Sequence, residues 1–290
     1  MDTDSEVINL IRFVNVSKEY KNGVIALYDI NIEINKGEFV FLVGSSGAGK
    51  STLIKLLLKE EGITRGKLYL NGTDITRVPN RRIPFIRRQL GVVFQDFRLL
   101  PNKTVYENVA FAMEIIGASP RAIRRRVPTV LSMVDLSRKA SSYPDQLSGG
   151  EQQRVSIARS IVNNPPVLIA DEPTGNLDPD TANDIMKALV DINNRGTTVL
   201  MATHAKEIVN NMRKRVIALE NGRIIRDEEK GGYGGGYYDK FLPLLRKDTT
   251  TIGLAFSFQV IDKVPFEKYD IPVDFIITEK DFIECEVKNA

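Results

Sequence analysis

The stretch Gly44-Ser-Ser-Gly-Ala-Gly-Lys-Ser51 decides the fold of this chain. It follows the apolar run Phe39–Val43, which predicts a buried strand, and it precedes residues 52–60, which predict a helix. Glycines allow a loop to wrap closely round an anion, so that successive backbone N–H groups point inward. Because the following helix directs its positive end at the same point, the pattern predicts a phosphate-binding loop.

This loop predicts a nucleotide site in which two side chains have specific roles. Lys50 is expected to reach the β- and γ-phosphates, and the Ser51 hydroxyl is expected to ligate Mg²⁺. Tyr20, an aromatic residue at the end of an early strand, is expected to stack on adenine, with a plain surface tyrosine as the alternative. The predicted ATP-binding residues are therefore Tyr20, Gly44, Ser45, Ser46, Gly47, Ala48, Gly49, Lys50, Ser51 and Thr52.

Two acidic residues, Asp171 and Glu172, follow the buried apolar run 167–170. A carboxylate at the end of such a strand can hold a metal ion through water, and the next carboxylate can polarise the attacking water. A well-placed general base contributes about 10²–10⁴-fold in rate, and Glu172 is the predicted base. The alternative is a pair of acids that only cap a helix.

Two neutral side chains are expected to complete the site. Gln95 follows the apolar run 91–94, and an amide oxygen can meet Mg²⁺ or the attacking water without adding charge. His204, the only histidine, follows an apolar strand and is expected to contact the γ-phosphate. Alone, Gln95 would be an ordinary loop residue and His204 a strand-end histidine held by a hydrogen bond. The predicted catalytic residues are Glu172, His204 and Gln95, and the predicted metal ligands are Ser51, Gln95 and Asp171.

A second glycine-containing motif, Leu147-Ser-Gly-Gly-Glu151, opens another predicted helix. Its exposed backbone N–H groups at a helix start predict a second anion site, made by Ser148, Gly149, Gly150 and Glu151. One chain cannot easily present this motif and residues 44–51 to the same phosphate. We therefore expect a homodimer in which each γ-phosphate is held between two subunits, with the second motif acting in trans.

Together these motifs resemble the ATP-binding subunits of ABC systems, over residues 7–229 or so. The resemblance implies an F1-like core, an antiparallel β subdomain and a helical subdomain near residues 96–165. It also implies a head-to-tail dimer that closes on two ATP, with Asp178 in the loop called the D-loop. Ala205 departs from the family pattern, in which this position often carries an acidic or amide residue.

A closer resemblance, to the cell-division branch of this family, rests on the stretches FQDFRLLPNKTVYENV (94–109) and EPTGNLDP (172–179). It implies an Mg²⁺-dependent ATPase that transmits conformational change to an integral membrane partner, and so controls peptidoglycan hydrolases. One alternative is the ATPase subunit of a lipoprotein-release or drug-export transporter. A less favoured alternative is a soluble ABC protein acting on nucleic acid or ribosomes, since the chain carries one cassette and only a short segment between residues 51 and 147.

Composition agrees with a cytoplasmic protein at the inner face of the cell membrane. The single cysteine, Cys285, excludes an internal disulfide and is typical of a reducing compartment. The chain begins without a signal-peptide pattern and contains no apolar run of the roughly 18 residues that span a bilayer. A net charge of +3 is too small to indicate nucleic acid as a partner. Basic residues concentrate in Arg81, Arg82, Arg87, Arg88 and Arg124 to Arg126, either as a solvated face or as a contact for a partner or acidic lipid headgroups.

The order of the predicted elements indicates an α/β fold: an ABC ATPase cassette with a mostly parallel sheet, plus a small C-terminal β-rich extension. We predict an ATP-binding domain at residues 1–230, a glycine-rich linker at 231–250 and a β-rich appendage at 251–290. The competing interpretation of the last segment is a disordered tail. Because it carries no nucleophile–base pair and no metal-ligand cluster, we expect a binding or regulatory appendage. Within the cassette, Pro128 is expected to end or kink a helix.

Overall fold

The computed structural model describes residues 9–228, 249–254, 257 and 273–285. The chain divides into two compact units, Met1–Tyr233 and Gly234–Ala290, each described by itself. In the first unit the strands are β1 (Asn9–Glu19), β2 (Ile25–Asn35), β3 (Phe39–Val43), β4 (Arg65–Leu70), β5 (Thr73–Asp74), β6 (Leu90–Val93), β7 (Val167–Asp171), β8 (Thr198–Ala202), β9 (Arg215–Glu220) and β10 (Arg223–Glu228). Its helices are α1 (Lys50–Leu57), α2 (Ile83–Arg87), α3 (Val105–Ile115), α4 (Pro120–Met133), α5 (Gly149–Ile161), α6 (Pro179–Asn194) and α7 (Lys206–Met212).

A six-stranded sheet in the order β10-β9-β3-β8-β7-β6 forms the centre of the first unit. Neighbouring strands from β9 to β6 run parallel, and only β10 is antiparallel to its neighbour. Every residue of β3 and of β8 is buried, as expected for parallel strands covered on both faces. The predicted α/β class with a mostly parallel sheet is confirmed.

The core lies on the two faces of this sheet, because alternate residues of a strand point to opposite sides. Phe39 and Phe41 join a cluster that includes buried residues of α3, α4, α5 and α6. Val40 and Leu42 join a second cluster with α1 and with the strands β1, β2 and β4. Those strands, with β5, form an antiparallel sheet in the order β2-β1-β4-β5.

Helices α3, α4 and α5 lie between β6 and β7 in the chain. Thr104 and Glu107 form a capping box at the start of α3, and Ser119 caps α4 directly before Pro120. Helix α4 continues through Pro128 to Met133, so the proline does not end it. The residues Val127, Val130 and Leu131 are buried in the core, and this burial outweighs the local cost of about 3 kcal/mol for proline in a helix.

The described part of the second unit contains a three-stranded sheet. Its strands are β11 (Ile252–Leu254), β12 (Phe275–Ile277) and β13 (Phe282–Glu284), with β12 in the middle. The rings of Phe275 and Phe282 stack with centroids 5.0 Å apart. A β-rich C-terminal extension is thus confirmed within the described residues. The predicted linker, except residues 249 and 250, lies outside them, as does more than half of the predicted appendage at residues 251–290.

None of the helices in the described ranges is both long enough and apolar enough to cross a membrane.

Candidate nucleotide site

Four strands of the central sheet end at one edge, where the predicted site residues follow them. Strand β3 leads into residues 44–51, β6 into Gln95, β7 into Asp171 and Glu172, and β8 into His204. Parallel strands present their carboxyl ends at the same edge of a sheet, and ligands bind there in open α/β folds. The topology therefore brings motifs from four distant parts of the sequence to one place.

Residues 44–51 form a tight loop that glycine makes possible. Gly44, Gly47 and Gly49 have φ angles of 152°, 79° and 111°, which side-chain-bearing residues rarely adopt. A Cβ at Gly44 would lie 2.4 Å from the Leu219 carbonyl oxygen, so the loop also lacks space for a side chain. Lys50 folds back over the loop, and its Nζ donates to the carbonyls of Gly44 at 2.8 Å and Ser45 at 3.0 Å. A positive charge is thus held at the mouth of a backbone cradle.

Tyr20 lies beside the first turn of α1. Its hydroxyl is 3.3 Å from the Thr52 Oγ1, and the Lys18 ammonium lies 4.8 Å from the ring centroid. Lys18 is itself held by Glu61 at 2.8 Å. The ring is therefore fixed next to the residue that follows the phosphate loop.

The carboxylates of Asp171 and Glu172 lie in different surroundings. Burial raises the pKa of the Asp171 carboxyl, the neighbouring Glu172 carboxylate raises it further, and Lys50 acts in the opposite direction. Glu172 has a φ of 48°, and its N–H donates to the Ala202 carbonyl at 2.9 Å. This left-handed backbone turns the chain at the end of β7, directly after Asp171.

His204 contacts Glu172 directly. The His204 Nδ1 lies 3.0 Å from the Glu172 Oε1, while 64% of the histidine side chain is exposed. Ala205 makes no side-chain contribution here, and its backbone N–H donates to the Thr203 hydroxyl at 3.0 Å. Ala205, which stands where the family often has an acidic or amide residue, therefore does not prevent the contact between the imidazole and Glu172.

Gln95 lies on the other side of Glu172. Its Nε2 is 3.3 Å from the Asn176 Oδ1. A Cβ built at Gly175 would lie 3.2 Å from that Nε2 and 3.5 Å from the Glu172 Oε2, which places Gln95 and Glu172 around the same glycine. Asn176 was not predicted as a site residue, since an asparagine in a turn after the acidic pair is also an ordinary turn residue.

The motif at residues 147–151 makes its contacts elsewhere. Ser148 and Glu151 form a reciprocal capping box at the start of α5, and Lys139 lies 3.5 Å from Glu151. A Cβ at Gly149 would touch Leu177 and Phe97 side chains, and one at Gly150 would meet Thr181 at 2.2 Å. Among the described residues, no hydrogen bond or ion pair joins this motif to residues 44–51. Its helix start remains exposed at Ser148 and Gly149.

Asp178 caps helix α6. Its Oδ1 accepts the Thr181 N–H at 3.0 Å, and hydrogen bonds from the Thr181 side chain and backbone lower the pKa of its carboxyl. The carboxylate is thus held in its charged form at a helix start, where the helix dipole also favours it.

Two residues that the sequence analysis missed connect α5 to the site. The buried Gln153 Nε2 donates to the Pro173 carbonyl at 2.7 Å, next to Glu172. Arg159 donates to the Phe97 carbonyl at 2.8 Å and to the Arg98 carbonyl at 2.6 Å, just after Gln95. A polar residue on the buried face of a helix is a signal that could have revealed Gln153, whereas nothing in the sequence distinguishes Arg159.

Comparison with known families gives two matches along the chain. The pattern of the ABC transporter family matches residues 27–175. A second pattern, of the 5-formyltetrahydrofolate cyclo-ligase family, matches residues 228–279. This second match includes the glycine-rich stretch and most of the predicted appendage, whereas the residues of the candidate site lie outside it.

Several known proteins are similar to the first unit over almost their whole length. The cell division ATP-binding protein FtsE of Bacillus subtilis is 62% identical over 225 residues, which cover 78% of this chain and 99% of that protein. The proteins of the same name from Mycobacterium tuberculosis and Escherichia coli K12 are 56% and 50% identical, covering 78% and 74% of this chain and 98% and 97% of theirs.

Solved structures agree with this similarity. The ATP-binding cassette MJ0796, a dimer in a post-hydrolysis state with ADP and Pi, is 37% identical with a TM-score of 0.69, covering 77% of this chain and all of that one. The cbiO1 protein of Clostridium perfringens, part of the cbiONQ transporter complex, is 31% identical with a TM-score of 0.73 and covers 77% and 89% of the two chains.

Proposed function

The chain belongs to the ABC transporter family, and from that premise we propose that it is the ATP-hydrolysing subunit of an FtsEX-like cell-division complex. The observation that carries the chemistry is the Glu172–His204 contact of 3.0 Å at the strand edge that also holds the phosphate loop. The observation that carries the biological role is the 62% identity to an FtsE protein over 99% of its length.

The phosphate loop binds the triphosphate. The backbone N–H groups of residues 44–51 and the start of α1 attract the anion, and Lys50 exchanges its two carbonyl contacts for phosphate oxygens. Tyr20 supplies an aromatic face for adenine from its position beside Thr52. Both residues are already fixed near the loop, so binding requires only local rearrangement.

Three side chains fit a magnesium ion, because all of them offer hard oxygen donors. They are the Ser51 hydroxyl, the Gln95 amide oxygen and the Asp171 carboxylate. The raised pKa of the Asp171 carboxyl indicates a partly buried negative charge beside another one, which is an arrangement that a cation stabilises. When bound, the ion neutralises charge on the phosphate oxygens.

Hydrolysis follows from the pair of Glu172 and His204. Glu172 accepts a proton from a water molecule while the water oxygen attacks the γ-phosphorus, and the bond to ADP breaks so that phosphate and ADP are released. The contact of 3.0 Å between the His204 Nδ1 and the Glu172 Oε1 holds the carboxylate in one direction. The His204 side chain is largely exposed, and in this mechanism its other imidazole nitrogen contacts a γ-phosphate oxygen.

The site is completed by a second copy of the chain. The exposed helix start at Ser148 and Gly149 has no partner on the phosphate loop of its own subunit, and a helix start attracts an anion. In a head-to-tail homodimer each subunit offers this motif to the ATP of the other. The dimeric state of the similar cassette MJ0796 supports this arrangement.

The dimer acts on a membrane partner. We infer an integral membrane protein resembling FtsX, on which the cassette docks as a peripheral protein at the cytoplasmic face. Closing on ATP and opening after hydrolysis then move that partner and control peptidoglycan hydrolases. No nucleic acid takes part. The alternative, a lipoprotein-release or drug-export ATPase, has the same chemistry and a different partner.

Affinity purification from detergent-solubilised membranes tests the proposed role. The full chain is recovered with its bound integral protein, and mass spectrometry identifies that protein. An FtsX-like protein is the expected result, and a permease for lipoproteins or drugs would support the alternative. Recovery with ribosomes or nucleic acid, and without an integral protein, would contradict both.

A further inference from the structure

A group of arginines that form no ion pair within the described residues lies in the segment between β5 and β6. We call the set Arg77, Arg81, Arg82, Arg87 and Arg88 the basic patch. All five are exposed, and residues 75–95 contain no aspartate or glutamate. None of the ion pairs within the described residues includes one of them. Five positive charges in one short, exposed segment therefore form no ion pair with another described residue.

The basic patch lies far from the phosphate loop. Helix α1 begins at that loop and runs back along the sheet, and the Arg87 Nε donates to the carbonyl of Leu58, just after the end of α1, at 2.8 Å. Helix α2 then leads into the start of β6, the strand whose opposite end carries Gln95. The patch therefore lies at the end of the sheet opposite to the nucleotide, and its charge does not serve ATP.

An exposed aromatic residue lies among these arginines. Phe85 is 59% exposed, and the Arg88 guanidinium lies 5.0 Å from the centre of its ring. Ile86, the next residue of α2, is buried and anchors the helix. The segment thus offers an exposed apolar ring with a cation against it and further arginines in the same segment, the combination by which protein surfaces bind at the boundary of headgroups and acyl chains.

We propose that the basic patch and Phe85 bind the anionic phospholipid headgroups of the membrane at which the complex works. The inference rests on the proposed function, which brings the cassette to a membrane face. Arginine forks fit phosphate oxygens, and the Phe85 ring gains from leaving water for the acyl boundary. An acidic protein segment would satisfy the arginines alone and would leave Phe85 exposed. The lipid contact orients the cassette against the membrane beside its protein partner.

Vesicle sedimentation of the purified full-length chain tests the proposal without the membrane partner. The wild type should bind phosphatidylglycerol vesicles, should bind phosphatidylcholine vesicles much more weakly, and should lose binding as salt screens the charges. Each basic residue near an anionic membrane contributes a factor of about five, so the triple variant R81S/R82S/R88S should bind on the order of 100-fold more weakly. Phe85→Ser should weaken binding at every salt concentration, because it removes the apolar contact.

A matched control is available on α4. The variant R121S/R124S/R125S removes three exposed arginines that likewise form no ion pair, and it should keep wild-type vesicle binding. Equal losses in both triple variants, or equal binding to both lipids, would overturn the proposal. ATP hydrolysis and recovery of the membrane partner are measured in the same variants. If the wild type hydrolyses ATP and recovers the membrane partner but does not bind vesicles, the lipid inference fails and the proposed function stands.

Discussion

In the proposed mechanism single side chains at the strand edge carry the chemistry, and the role of Glu172 is the most direct to test. Glu172→Gln keeps the shape of the side chain and removes the base. We expect ATP binding to persist and turnover to fall at least about 100-fold. Phosphate release under saturating ATP measures the effect, with Glu114→Gln on the exposed face of α3 as the control. Turnover close to wild type in the Glu172 variant would contradict its role.

The raised pKa of the Asp171 carboxyl predicts that the stability of the protein depends on pH. Because its folded pKa is raised above the ordinary carboxyl value, the folded protein binds the proton more tightly than the unfolded chain. The charged form therefore destabilises the nucleotide-free protein above that folded pKa, and the cost disappears as pH falls below the ordinary value. Asp171→Asn should raise the free energy of unfolding at neutral pH, and the difference should shrink in acid. Urea unfolding across pH measures it, and a difference that grows toward low pH would contradict the sign.

The site residues that could be predicted from the sequence are those whose chemistry requires a particular side chain at a particular position in a motif. The loop at residues 44–51, the acidic pair after β7, Gln95 and His204 all lie at one strand edge, as their positions after apolar runs indicated. Asn176 and Arg159 contribute through contacts between segments far apart in sequence. Such contacts depend on how the fold brings α5 and the turn after β7 to the loop after β6, which local patterns do not encode.

Helix α5 is connected to the loop after Gln95 by Arg159, whose guanidinium donates to two backbone carbonyls of that loop. Phe97 and Arg98 have φ angles of 55° and 49°, so two successive residues are held in the left-handed region. Arg159 from α5 stabilises this backbone by binding both carbonyls. The start of the same helix presents Ser148. One helix therefore joins the motif proposed to act in trans to the loop beside the proposed catalytic residues.

Replacement of Arg159 by glutamine should release that loop. Hydrogen bonds to a charged group contribute about 1.5–3 kcal/mol, so we expect a loss of about 2 kcal/mol in the free energy of unfolding. Hydrogen exchange at residues 96–99 should accelerate. Arg121→Gln, on an exposed face of α4, serves as the control and should stay within about 0.5 kcal/mol of wild type. Unchanged exchange in the Arg159 variant would show that the left-handed turn is held by other contacts.

Helix boundaries were predictable where caps or glycines mark them. Ser119-Pro120 and Ser148 begin α4 and α5 as the local chemistry indicates. Pro128 did not end its helix, because the buried valines and leucine around it gain more from packing than the proline costs. Local propensity and tertiary packing disagree there, and a single sequence does not show which of them is larger.

The chain as a whole matches two different families, the longer match lying in the cassette and the shorter one in the C-terminal segment. The cassette matches its relatives over nearly their full length, and the segment from residue 228 is similar to a different family. We propose that this segment is a separate module beyond a cassette that is complete by residue 230. The residues predicted for the nucleotide site all precede it in the sequence, and its charges are acidic overall, in contrast to the basic cassette.

Ending the chain after Lys230 should therefore leave ATP affinity unchanged. Calorimetric titration of a non-hydrolysable ATP analogue, in the truncated and full-length proteins, measures this. The truncated protein should also keep the unfolding midpoint of its ATP-bound form. A folded truncation that no longer binds the nucleotide would show that the C-terminal segment completes the site.

The central claim is that ATP is held between two copies of the chain, and the mass of the Glu172→Gln protein in solution tests it most directly. Light scattering should find a dimer with ATP and a monomer with ADP, because slow turnover preserves the γ-phosphate that joins the subunits. Adding Ser148→Arg should abolish the dimer while ATP still binds. Ser119→Arg removes the matching cap of α4, away from the site, and should leave the dimer intact. A protein that stays monomeric with ATP would contradict this claim. A dimer that persists in the Ser148→Arg variant would contradict it as well.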